Sequence, residues 1–115
     1  MFENSFDEGQ AAYDNQDYSK AFGILLPHAE EGLAEAQCMI GSMYHLGLGI
    51  HVNGAMAVTW YRRAAEQGHP LAYHNLGCLY HTGVPDLQPD PEKATECYRK
   101  AEEHGFDMIL PESND

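Results

Sequence analysis

The chain repeats itself, and that repetition limits its fold more than any other feature. Ala36 and Ala72, Gly41 and Gly77, Tyr44 and Tyr80, and Gly47 and Gly83 each lie 36 residues apart. After Gly83 the connection gains one residue. Ala57 and Ala94, Tyr61 and Tyr98, Ala64 and Ala101, and Gly68 and Gly105 then match at a spacing of 37. A period of this length marks a stack of small supersecondary units, each too small to bury its own apolar face.

Each unit reads as two helices. Ala36, Ile40, Met43 and Tyr44 fall at helical spacing and form one stripe. Gly47-Leu48-Gly49 ends that helix, because glycine accepts the left-handed conformation a helix end requires. Asn53 can cap the next helix, which carries Ala57, Trp60, Tyr61, Ala64 and Ala65 to Gly68. In the following unit, Pro70 to Thr82 is the first helix. Asp90-Pro91 opens the second with a cap and a proline at its first position, and it runs to about His104. Gly41, Gly77, Ala64 and Ala101 are small enough for paired helices to approach closely. No segment alternates with period two, so an all-α protein is expected.

The N-terminal third is a degenerate version of the unit. Ala21, Ala29 and Gly32 lie 36 residues before Ala57, Ala65 and Gly68, and the turn Asp14-Asn15-Gln16-Asp17 replaces the glycine loop. Pro27 removes one backbone donor and crowds the carbonyl of Gly23, which predicts a kinked or broken helix. The 115 residues therefore divide into a degenerate repeat (3–32), two full repeats (33–68 and 69–105) and a C-terminal segment (106–115). That last segment begins like another repeat and stops at Pro111. Folding back as a cap is favoured over a sticky end, since exposing a contiguous apolar patch is costly.

The run Ala34-x-Ala36-Gln37, Gly41, Tyr44, Gly47-x-Gly49, then Ala57-x-x-Trp60-Tyr61-x-x-Ala64-Ala65-x-x-Gly68 resembles the Sel1-like repeat, a relative of the tetratricopeptide repeat. The second full unit departs from the pattern at Pro85, Cys97 and Glu102. The N-terminal unit is closer to the tetratricopeptide form. The resemblance implies a right-handed superhelix (solenoid) of about three helix-turn-helix repeats. It also implies an adaptor or scaffold, common in bacteria, with no shared catalytic residues.

In such stacks the first helices line a concave groove and the second helices form the outside. Counted by that resemblance, the groove is lined by Phe6, Gln10 and Tyr13, then Glu35, Cys38, Ser42 and His45, then Leu71, His74, Cys78 and His81. All six cations (Lys20, Arg62, Arg63, Lys93, Arg99 and Lys100) fall in second helices, so the groove has no fixed positive charge. Eighteen Asp and Glu give a net charge of -12, which repels nucleic acid and anionic membranes and favours a neutral or basic protein partner. Protonating the groove histidines below about pH 6.5 would partly cancel that field.

Two sharper readings use the same side chains. His74, Cys78 and His81 share one helix face, with Cys38 and His45 at the equivalent places one repeat earlier, and these are donors that zinc or copper selects. No complete ligand set is legible, however, so neither a metal nor a cofactor is expected. A Cys–His pair could in principle serve catalysis, but no orienting group or oxyanion motif accompanies it, and no catalytic residue is assigned. Three cysteines without a CxxC pair, and a start without a signal-peptide pattern, point to the cytoplasm. A monomer is expected in preference to a homodimer.

Overall fold

The computed structural model describes residues 4–106. Six helices follow in order: α1 (Phe6–Asp14), α2 (Tyr18–Glu30), α3 (Ala34–Leu46), α4 (Gly54–Glu66), α5 (Pro70–Thr82) and α6 (Pro91–Glu103). The described residues contain no strand, only an isolated bridge between Val84 and Leu87 in the α5–α6 loop. The described residues form an all-α solenoid of three helix pairs.

The helix ends follow local chemistry. Asn53 Oδ1 accepts from the Met56 amide at 3.0 Å, and Asp90 Oδ1 accepts from that of Lys93 at 3.1 Å. Each satisfies one of the orphan donors at a helix start. Gly47 closes α3 in the left-handed region at φ 71°. α1 opens with a reciprocal capping box between Ser5 and Glu8, a signal the repeat pattern does not reveal.

Of the kinked or broken helix expected at Pro27, the break is absent: α2 runs to Glu30. Proline here stands in the final turn, where little helix remains to be disturbed. The carbonyl it leaves without a donor belongs to Gly23, which is exposed to water and has no neighbour near its α-carbon.

Within each pair the helices pack together, and between pairs α2 meets α3, α4 meets α5, and α3 also touches α5. Glycine sets the first kind of contact. A Cβ on Gly41 would lie 2.6 Å from Tyr61 Cδ1, and one on Gly77 would lie 2.7 Å from Tyr98 Cε1. In the N-terminal pair Gly9 meets Leu25 in the same way, at 2.7 Å. One device therefore joins all three pairs, with leucine replacing tyrosine in the degenerate unit.

Polar contacts tie successive pairs. Buried Gln37 donates to the Ala29 carbonyl at 3.0 Å and accepts from Gln67 Nε2 at 3.0 Å, while Gln67 also donates to the Gly32 carbonyl. At the other end of α4, Asp86 reaches back from the next repeat's loop. Its carboxylate accepts from the amides of Gly54 at 2.7 Å and Ala55 at 3.2 Å.

The Gly54 amide is the main reason the Asp86 carboxyl sits below its usual range. A carboxylate with a depressed folded pKa adds stability above the unfolded value, near 3.8, and loses it as pH falls through the folded value. Asp86→Ala is therefore expected to lower the melting temperature at neutral pH, with the gap closing at strongly acidic pH. Superimposable neutral melts would show that the clasp contributes nothing.

The predicted C-terminal cap falls largely on residues 107–115, outside the described residues. Phe106 is described, and its ring stacks on His74 with centroids 4.4 Å apart.

Candidate functional site

Helices α1, α3 and α5 carry every side chain assigned to the groove, but the structure treats them differently. Phe6 and Tyr13 are half-buried and lean on the second helix of their own pair. Phe6 meets the His28 ring edge-on at 6.3 Å, and Tyr13 meets Tyr18 at 5.6 Å. Gln10 is half-buried as well. Glu35 is exposed and accepts from His69 Nε2 at 3.1 Å. His69 Nδ1 accepts from the Ala72 amide, which leaves the proton on Nε2.

Cys38 requires a correction. It is 3% exposed, so it belongs to the core between α3 and α5 and offers no surface to a partner. Asn75 Nδ2 donates to its sulfur at 3.6 Å, and burial pushes the thiol up to about 12. Such a thiol is neither a nucleophile nor a ready metal ligand.

Ser42 and His45 are brought together by a residue of the second helix. Tyr61 Oη donates to Ser42 Oγ at 3.0 Å and lies 3.1 Å from His45 Nδ1. With the tyrosine proton engaged by serine, His45 Nδ1–H is the donor to Tyr61. Burial, foremost, pushes the Tyr61 hydroxyl above its ordinary value, with Tyr13, Cys38 and Cys78 near enough to add to the effect. Burial also holds His45 below the usual imidazole value, so its protonation is displaced to lower pH. The pH response expected of the groove therefore moves to lower pH at this position.

The third unit differs. His74 Nε2 lies 3.5 Å from Cys78 Sγ, and its ring packs against Tyr98 at 5.4 Å as well as on Phe106. Both residues lie against Tyr98 of the second helix of their own pair. Leu71 is 41% exposed and His81 is exposed. Among the described residues no three His, Cys, Asp or Glu side chains gather as a metal site would require, so the zinc or copper alternative receives no support from the geometry.

Tyr61 and Tyr98 reach the assigned groove residues and Asn75 reaches buried Cys38, contacts that sequence reasoning misses. The first two read only as core. The available signal is the glycine opposite each ring, together with the rule that a buried phenol seeks a hydrogen-bond partner. Asn75 carries no such signal.

The comparisons agree with this geometry. Residues 34–69 and 70–106 each match the Sel1 repeat model, one residue later than the units drawn from the sequence. Chitin synthase regulatory factor 2 of Schizosaccharomyces pombe is 36% identical over 84 residues, which covers 71% of this chain and 16% of that protein. The crystal structure of a Sel1 repeat protein from Oxalobacter formigenes superposes with a TM-score of 0.76 at 34% identity, covering 86% of this chain and 40% of that one. A protective antigen of uropathogenic Escherichia coli strains, described as displaying an SLR fold, gives 0.79 at 30% identity, covering 84% and 22%. The chain spans less than half the length of each relative. No helix among the described residues is long and apolar enough to cross a membrane. With 73 of its 115 residues matched as two repeats, the chain belongs to the Sel1 repeat family.

Proposed function

We propose that the chain is an adaptor that holds a neutral or basic segment of another protein against the face formed by α1, α3 and α5. Sel1 repeat proteins are generally protein-interaction adaptors built on a non-catalytic scaffold. One relative named above is a regulatory factor, which fits a role exercised through other proteins.

The observation that carries the finer reading is the segregation of fixed charge. Helices α1, α3 and α5 contain Asp7, Glu8, Asp14 and Glu35 and no Lys or Arg. Every cation of the chain lies on α2, α4 or α6. Such a face attracts basic segments and repels acidic ones, and that effect chiefly speeds encounter. Exposed Leu71 at the start of α5 supplies an apolar anchor, and Ser42, His45 and His81 toward the other ends of α3 and α5 supply polar contacts. A helix or an extended peptide could engage such a surface.

The test begins with capture of partners by the full chain from its native cells, followed by calorimetry on the identified partner. A double change of His45 and His81 to alanine should weaken binding about tenfold or more, the loss of roughly 1.4 kcal/mol. Arg63→Ala, on the outer helix, should leave it unchanged. An intact affinity in the groove variant, with loss in the outer one, would place the binding face on α2, α4 and α6 instead.

A further inference from the structure

The outer surface holds a cleft of opposite character. It lies between α4 and α6, encloses about 290 Å³, and has α5 as its base. Leu76 and Tyr80 close the floor, and half-buried Tyr73 forms one wall. Arg62, Lys93 and Lys100 stand around it, three of the six cations in a chain of net charge -12.

Tyr80 organises two of these cations. Arg62 Nη2 donates to its hydroxyl at 3.3 Å, and Lys93 Nζ lies over its ring, 5.4 Å from the centroid. Among the described residues none of the three cations forms an ion pair, whereas Arg99, outside the cleft, holds both Glu96 and Glu103. Glu66 and Glu96 also line the cleft, but Glu96 is already engaged by Arg99. Cys97 lines the α6 side of the cleft, where burial raises its thiol, nearby Lys100, Arg62 and Lys93 each pull it down, and Glu96 opposes them.

We propose that this cleft is a second docking site, which takes an acidic segment of a partner protein by seating one apolar side chain against Tyr73 and its carboxylates on Arg62, Lys93 and Lys100. The volume suits one large side chain and falls just below the range of typical small-molecule pockets, about 300–1,000 Å³. Carboxylates can bond to Arg62 with two donors and to the lysines with single ones. The acidic remainder of the molecule does not prevent this. At physiological salt the screening length is about 8 Å, so a bound segment feels the cations at the rim more than the distant field. The chain would then join a basic partner on one face to an acidic one on the other.

The test is a titration of the isotope-labelled full chain, followed by NMR, with three synthetic peptides that alternate leucine with glutamate, glutamine or lysine. The glutamate peptide should move the amides of Arg62, Tyr73, Lys93 and Lys100 saturably, and about tenfold more tightly than the glutamine peptide. R62Q/K100Q should lose that preference, while H45A/H81A should keep it. Because a variant can fail to fold, the unmodified protein provides a separate check: its affinity for the glutamate peptide should fall steeply with salt. Equal binding of the glutamine peptide, shifts confined to other surfaces, or salt-independent affinity would each overturn the proposal. So would movement of the same amides with protein concentration alone, which would assign the cleft to a second copy.

Discussion

Gly41→Val is expected to cost about 3 kcal/mol or more, a large part of the ~5–15 kcal/mol that holds a domain together. Even the first added carbon would lie 2.6 Å from Tyr61 Cδ1 and 2.9 Å from Cε1. The ring has nowhere to go, since it is 1% exposed and its hydroxyl is fixed to Ser42 and His45. The helices must therefore part, and the close packing of α3 on α4 is lost. Gly23→Ala makes the opposite case. Gly23 lies in a helix interior, and an added Cβ there would meet nothing within 4 Å. Relief of backbone entropy should therefore stabilise the protein by about 0.5–1 kcal/mol. Chemical denaturation of both variants measures the contrast. A Gly41→Val protein within ~1 kcal/mol of the parent would remove the glycine–tyrosine contact as the element that sets the hairpin.

What can be read from the sequence is what is local. The caps at Asn53 and Asp90 and the stop at Gly47 are decided within a few residues, and their signals survive without knowledge of the fold. The period places the pairs correctly for a related reason: α3 with α4, and α5 with α6, bring matched positions together within one unit. Contacts between units are another matter. Nothing in Asp86 announces that it will reach the amides of Gly54 and Ala55 in the preceding pair. Cys38 reads as groove lining because its register is that of a first-helix face, yet the neighbouring α5 covers it and Asn75 bonds to its sulfur. Pro27 misleads in the opposite direction: it leaves the Gly23 carbonyl without a donor, yet so close to the helix end it does not break α2. The outer cleft is invisible for the same reason as Asp86. Arg62, Lys93 and Lys100 read as cations scattered along two outer helices, and only stacking makes them face one another.

Tyr61→Ala is expected to be as damaging as the valine at Gly41, at about 3–5 kcal/mol, because it empties a large buried volume that rigid helices cannot refill. Tyr98→Ala should cost distinctly less. Tyr98 occupies the equivalent place over Gly77 but is half-buried, in the last described helix pair. A stack is held by its interfaces with neighbours, so loss at the centre disturbs both sides while loss at an end disturbs one. Tyr61→Phe separates the ring from its hydroxyl. It keeps the packing over Gly41 and removes the bonds to Ser42 and His45, both half-buried and able to turn toward water, so about 1 kcal/mol is expected. The phenylalanine variant should therefore remain folded while its groove loses the fixed geometry of two polar contacts, which makes it the sharper probe of partner binding. Comparable losses for Tyr61→Ala and Tyr98→Ala in denaturant titrations would contradict this ordering and show that the outermost pair is as tightly coupled as the centre.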